Sequence, residues 1–305
     1  MEQSFLAWLR GRQRTLPQVE LGIGDDAAVI HWPAESVIAT VDTIVDGVDF
    51  KLHEHDRASI GRKALAVSLS DIAAMGAEPV AVLVSLQLPK EQPAQLAAAL
   101  YEGLLELASE YKVALAGGDL TVAAAPLALT TTVLGALPAG QTAWTRRGAQ
   151  VGDLVCVTGS LGGSILGHHL KFTPRLHAAR QLARHCSIHA AIDISDGLSL
   201  DLDRLCAASG VGVELDLMQI PIAPAAFELS GGERAEALEH ALGDGEDFEL
   251  LLTMSPESFD IASTLDLGVP LTVIGKCVSR TGLWAKQGGK LHRLNPRGYV
   301  HGAGP

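Results

Sequence analysis

Apolar and polar positions along the chain change period several times, and each change predicts an element. Residues 36–40, 80–88 (VAVLVSLQL), 113–116 and 127–136 (LALTTTVLGA) are short apolar runs bounded by turn formers, which predicts strands. Between them, 93–111 places Leu96, Leu100, Leu104 and Leu107 at spacings of 4, 4 and 3, one face of a helix. Residues 56–75 predict a second helix that ends at Gly76, a C′ glycine. The amino terminus, MEQSFLAWLRGRQR, has no apolar run of signal-peptide length and predicts a short amphipathic helix.

Residues 120–144 carry no charge and are long enough to cross a bilayer. Pro126, Gly135, Pro138, Gly140 and five threonines interrupt them, so PLALTTTVLGAL predicts a buried strand and no membrane partner is expected. Turn formers and charge then gather over 138–153, where the domain boundary is expected, giving domains of 1–138 and 139–305. A second pattern follows, with strands at 153–158, 190–194, 248–254 and 270–277 and helices at 174–185 and 198–209. Fold class is therefore α/β, in the broad sense that includes α+β, with two domains. Strand order is not derivable from the pattern.

Composition narrows this picture. Of 305 residues 48% are hydrophobic and only 4% aromatic, with 32 glycines, which suits an α/β enzyme better than a stacking-based RNA binder. The formal charge of -12 argues against nucleic acid as a partner. Cys156, Cys186, Cys206 and Cys277 form no CxxC pair, so neither zinc nor a disulfide framework is expected, and a cytoplasmic location fits.

Two short matches to nucleotide-binding motifs fail on context. Gly22-Ile-Gly24-Asp-Asp-Ala27 fits a dinucleotide fingerprint, with Asp42 at ribose distance, but His31-Trp32-Pro33 arrives where a long helix must begin. Leu229-Ser-Gly-Gly-Glu233 imitates a transporter signature, yet no G-x-x-x-x-G-K-[ST] loop exists, and a turn before a helix is expected there. The pairs His53/His55 and His168/His169 are expected to be solvated.

Aspartates stand out instead, expected at loop ends of apolar strands or next to glycine: Asp25-Asp26, Asp42, Asp71, Asp119, Asp193, Asp196 and Asp247. A single such aspartate is commonly a solvated residue or a helix cap. Several delivered to strand ends can converge on a hard divalent cation, and phosphates could not share a cleft with them otherwise.

Taken in order, LGIGDDAAV, TVDTIVDGVDF, KALAVSLSDIAAMGAEP, GGDLT, TRRGAQVGD, AIDISDGL, GDGEDFELL and the terminal RGY resemble the thiamine-monophosphate kinase family, part of the ATP-binding superfamily typified by aminoimidazole ribonucleotide synthetase. The resemblance runs from Leu21 to Tyr299. It implies transfer of the γ-phosphate of ATP, as co-substrate, to thiamine monophosphate. It also implies several Mg²⁺ ions and a homodimer whose amino-terminal strands form a barrel, with the carboxyl-terminal domain completing the active site.

Residue by residue, the resemblance makes Asp26, Asp42, Asp71, Asp119, Asp193 and Asp196 magnesium ligands, with Thr40 and Val41 contributing. It sets Tyr101, Gly118, Asp119, Arg146 and Ser195 at ATP and Asp49, Glu246 and Tyr299 at thiamine monophosphate. Asp71 and Arg146 are then the catalytic pair. Three positions depart from the family pattern: Asp49 stands where His is common, Asp244 where Gly is usual and Ser68 where Asn is frequent. The rival readings are another ATP-dependent synthetase of the superfamily and a regulator that binds nucleotide without turnover. A selenophosphate synthetase or a hydrogenase-maturation protein would need a working cysteine near one terminus. The first cysteine is Cys156, and the chain ends HGAGP.

Overall fold

The computed structural model describes residues 2–12, 16–21, 27–91, 93–287 and 290–300. Contacts divide the chain into two compact units, Met1–Ile72 with Ala77–Gly140, and Ala73–Gly76 with Gln141–Pro305.

The first unit runs α1 (Glu2–Arg12), β1 (Val19–Leu21), β2 (Val29–Ile30), β3 (Val37–Val45), α2 (Arg57–Ala74), β4 (Glu78–Leu88), α3 (Pro93–Tyr111), β5 (Ala114–Val122) and β6 (Ala128–Ala136). Four strands form one sheet in the order β3-β6-β4-β5, antiparallel except for β4 with β5. Along β6, Leu129, Thr131, Val133 and Gly135 are buried, as the two-residue period of a strand requires when one face is covered. That face receives α2: the Thr131 hydroxyl donates to the Ala64 carbonyl at 2.7 Å.

Helices α2 and α3 cross at glycines. A Cβ on Gly61 would lie 1.8 Å from the Leu100 carbonyl oxygen, and one on Gly103 would lie 1.8 Å from that of Ala58. Only hydrogen fits at either place, so the two backbones can touch. On the other sheet face, Val80, Ala81, Ala114, Ala116 and Ala136 pack with Leu16, Val19, Ile30 and Trp32. Edge strand β3 presents Val37 and Val41 on that side, 54% and 62% exposed.

The second unit holds β7 (Leu154–Thr158), α4 (His168–Lys171), α5 (Leu176–His185), β8 (Ile188–Asp193), α6 (Leu198–Ser209), β9 (Gly212–Leu215), α7 (Pro224–Leu229), α8 (Arg234–Gly243), β10 (Leu250–Met254), α9 (Pro256–Ala262), β11 (Leu271–Val278), β12 (Gly282–Gln287) and β13 (Lys290–Leu294). Its seven strands are ordered β13-β12-β9-β11-β7-β10-β8, antiparallel except for β9 with β12. Val155, Val157, Ile192, Leu202, Leu205, Leu251 and Ile274 lie in its core.

The chain is thus a mixed α/β protein of α+β character. The uncharged segment 120–144 supplies the end of β5 and all of β6, and among the described residues no helix is long and apolar enough to cross a membrane. Leu229-Ser-Gly-Gly-Glu233 makes the turn between α7 and α8. No helix follows residue 27 before β3, which removes the dinucleotide reading. All four cysteines are free, and burial pushes the Cys156, Cys206 and Cys277 thiols up to about 12.

Candidate active site

In the first unit, strand β3 and helix α2 form a seam of hydroxyl and carboxyl oxygens. Thr40 and Asp42, two residues apart, share one side of β3, while Ser68 and Asp71, three apart, share one side of α2. Across the seam the Thr40 hydroxyl donates to Asp71 Oδ2, and the Ser68 hydroxyl donates to Asp42 Oδ2 at 2.7 Å. Burial holds the Asp42 carboxyl above its ordinary value, against the opposing pull of the Ser68 hydrogen bond. Among the described residues no basic group contributes to that balance.

These positions correct one expectation. Asp42 lies inside a nine-residue strand rather than at a loop end, and Asp119, next to Gly118 as expected, lies inside β5; Asp71 is in α2, within the helix predicted over 56–75. Asp42 pairs in register with Thr131, and Thr131 with Val84, on the face turned to α2. Asp119 pairs with Ser85, which pairs with Thr130, so it belongs to the opposite face, next to Gly118. Val41 is likewise on that face and exposed. Among the described residues no group of three or more His, Cys, Asp or Glu side chains is set to hold a metal by itself. Asp25 and Asp26 lie outside the described residues.

Two further expectations meet different geometry. The Tyr101 ring is buried at 4% exposure and packs edge-on against Phe5 of α1, 5.2 Å between centroids, so it serves the helix pair rather than an open nucleotide surface. Burial also pushes its hydroxyl well above the ordinary value. Asp49 caps the turn after β3: its Oδ2 accepts from the Val45 amide at 2.7 Å, and its own carbonyl accepts from the buried Lys63 ammonium at 2.7 Å.

The second unit gathers the remaining residues. Asp193 closes β8, and the loop 194–197 leads into α6. The Glu246 amide donates to the Ser195 carbonyl at 2.7 Å, and the Phe248 amide donates to that of Ile194 at 2.8 Å. The Tyr299 amide donates to the Asp196 carbonyl at 2.9 Å, while Arg297 is tied to Ser199 at the start of α6. Asp193, Ser195, Asp196, Glu246 and Tyr299, distant in sequence, thus sit on neighbouring backbone. Arg146 is exposed, and its carbonyl accepts from Ser209 at 2.9 Å.

Asp201 and Arg204 belong to this group and were not singled out from sequence. Arg204 donates to Asp196 and, at 2.7 Å, to Asp201, while Asp201 Oδ2 accepts from the Asp196 amide at 2.9 Å. Burial raises the Asp201 carboxyl, with the Asp196 charge adding to it and Arg204 opposing it. The histidine expectation fails at His169, which is buried with Nδ1 2.8 Å from the Ser164 carbonyl.

Two mixed units with carboxylates on a strand–helix seam and on a strand-end loop define a class. Residues 24–137 match the AIR synthase related protein N-terminal domain and residues 150–283 its C-terminal domain. Thiamine-monophosphate kinase of Rhodopirellula baltica is 50% identical over 99% of this chain and 98% of its own. The crystal structure of thiamine-monophosphate kinase from Stenotrophomonas maltophilia superposes with a TM-score of 0.81 at 35% identity, covering 92% of this chain and 94% of that one. AaThiL complexed with AMPPCP and TMP superposes with a TM-score of 0.76 at 27% identity over 92% and 91%. The chain belongs to the thiamine-monophosphate kinase family.

Proposed function

We propose that the protein transfers the γ-phosphate of ATP to thiamine monophosphate, giving thiamine diphosphate and ADP. The similarity to the Rhodopirellula baltica kinase along 99% of the chain carries this reading, and the complex of AaThiL with AMPPCP and TMP supports both substrates. A synthetase or a non-catalytic regulator would share the fold but not this full-length identity.

The acceptor chemistry is simple. A phosphate monoester has a second pKa of about 6, so near neutral pH its oxygen is already an anionic nucleophile. That oxygen bonds to the γ-phosphorus as the bond to the β–γ bridging oxygen breaks, and ADP leaves. No general base is needed, so the task is alignment of two polyanions and neutralisation of their charge.

The donor set suits a hard divalent cation. Asp42 is a half-buried carboxylate raised by burial, on the same side of β3 as Thr40, whose hydroxyl bonds to Asp71. We assign Asp26, Thr40, Val41, Asp42, Asp71, Asp119, Asp193 and Asp196 to Mg²⁺, which when bound supplies charge screening and orientation of phosphate oxygens. Gly118, Asp119, Arg146 and Ser195 are assigned to ATP, and Glu246 and Tyr299 to thiamine monophosphate. Asp49 acts on that substrate through the turn it caps. Arg146, exposed and outside any ion pair among the described residues, is the phosphate-facing cation, and Asp71 orders the seam through Thr40.

Homodimerisation is part of the proposal. An edge strand of nine residues with exposed Val37 and Val41 is an unprotected pairing surface. Four free cysteines, three of them buried, suit a reducing cytoplasm, and the net charge of -12 suits no nucleic-acid partner. The test is ADP release followed with and without thiamine monophosphate. Release that requires thiamine monophosphate is expected; release indifferent to it contradicts the proposal.

A further inference from the structure

Residues 244–248 are held from two sides. On one side the Glu246 and Phe248 amides bond to the carbonyls of Ser195 and Ile194. On the other, two carboxylates accept from consecutive backbone amides. Asp247 Oδ1 takes the Gly162 amide at 2.8 Å, and Asp244 Oδ2 takes the Gly163 amide at 2.9 Å. Ser164 donates to the Gly245 carbonyl at 2.7 Å, which closes the same contact.

The donor pair is built for this. Gly162 and Gly163 have φ of 89° and 76°, and a Cβ on either would lie 2.5–2.6 Å from the backbone of α8 or α7. Consecutive glycine amides in such a turn form a concavity that takes anionic oxygens. The clamped segment is itself strained, with Glu246 at φ 54° and Phe248 at φ 51°, a region that non-glycine residues enter only when surrounding contacts enforce it. His240, one turn earlier on α8, sits 2.9 Å from Asp244 Oδ1 and fixes the carboxylate from the helix side.

We propose that Asp244 is a positioning residue: with Asp247 it clamps residues 244–248 onto the Gly162 and Gly163 amides and so sets Glu246 for thiamine monophosphate. This rests on the substrate role given to Glu246 above. Removing one acceptor frees the segment to relax its positive φ values and leaves the Gly163 amide without its partner.

Steady-state kinetics on Asp244→Ala, Asp244→Asn and Glu246→Ala test it. Asp244→Ala should raise KM for thiamine monophosphate about tenfold, the scale set by losing a charge-assisted hydrogen bond, with kcat and KM for ATP within about twofold. Asp244→Asn keeps an acceptor for the Gly163 amide and should stay within about threefold of the parent. A KM for thiamine monophosphate unchanged in Asp244→Ala, or a parallel rise in KM for ATP, overturns the proposal. If Glu246→Ala raises that KM while Asp244→Ala does not, the positioning role fails and the substrate reading stands. If Glu246→Ala has no effect, both fail. Should Asp244→Ala not fold, Asp244→Ser, too short to reach the Gly163 amide, decides by the same criteria. Loss of folding in both assigns Asp244 to stability alone and overturns positioning.

Discussion

Asp247 is buried, with one carboxylate oxygen on the Gly162 amide and Oδ2 without a partner among the described residues. Burial raises its carboxyl well above the ordinary value, helped by the charges of Glu249, Asp244 and Glu246 and opposed by the Gly162 bond. Between the unfolded value of about 3.9 and the raised folded value, the folded chain holds a proton that the unfolded chain has lost. Stability from this group is therefore present at low pH and falls as pH rises through that interval. Asp247→Asn keeps the acceptor for Gly162 and removes the titration. It should raise Tm by about 2–4 °C at pH 8 and leave it unchanged near pH 4, measured by calorimetry. A gain equal at both pH values would contradict the assignment.

At the same scale, the acidic motifs were legible as residue types and their placement was not. Asp71 falls inside the helix predicted over 56–75, but Asp42 was expected past the end of a strand at 40, and the hydrogen bonds from Ser68 and Thr40, between residues 26 and 31 apart, carry no local signal. Asp201 and Arg204 escaped notice because an Asp–Arg pair at i, i+3 on a helix reads as a solvated pair. Their contact with Asp196 depends on how the loop 194–197 turns back on α6.

Among the elements, α3 shows what periodicity captures. Leu96, Leu100, Leu104 and Leu107, read as one helical face, are all buried. Strand β5 shows where it stops: Gly117-Gly118-Asp119 looks like a loop, yet the strand continues to Val122 because Leu83 through Leu88 of β4 pair with it residue by residue. Such pairing overrides local preference. Strand β9 and helices α7 and α9 are too short to carry a period and went unpredicted.

The glycine crossing of α2 and α3 gives the prediction at this scale. Gly103→Ala must displace the Ala58 carbonyl and should destabilise the protein by about 2–3 kcal/mol, an overpacking cost, despite the higher helix propensity of alanine. Urea unfolding followed by circular dichroism checks it. A variant as stable as the parent would show that the helices do not meet at this point.

For the whole molecule, the charge of -12 first suggests a protein that avoids polyanions. Part of that charge sits in carboxylates assigned to Mg²⁺, so the bulk value describes the surface more than the site. The open edge of β3 belongs to this scale as well. Val41→Glu places a charge on an exposed apolar position of an edge strand and, if the proposed homodimer forms through β3, should leave the protein a monomer in light scattering. A dimer of unchanged stability would remove β3 from the interface.

Phosphorus NMR of the purified protein with ATP, Mg²⁺ and thiamine monophosphate tests the central claim most directly. Thiamine diphosphate and ADP should appear in equal amounts as ATP and thiamine monophosphate disappear. Inorganic phosphate and ADP, with thiamine monophosphate left intact, would contradict it.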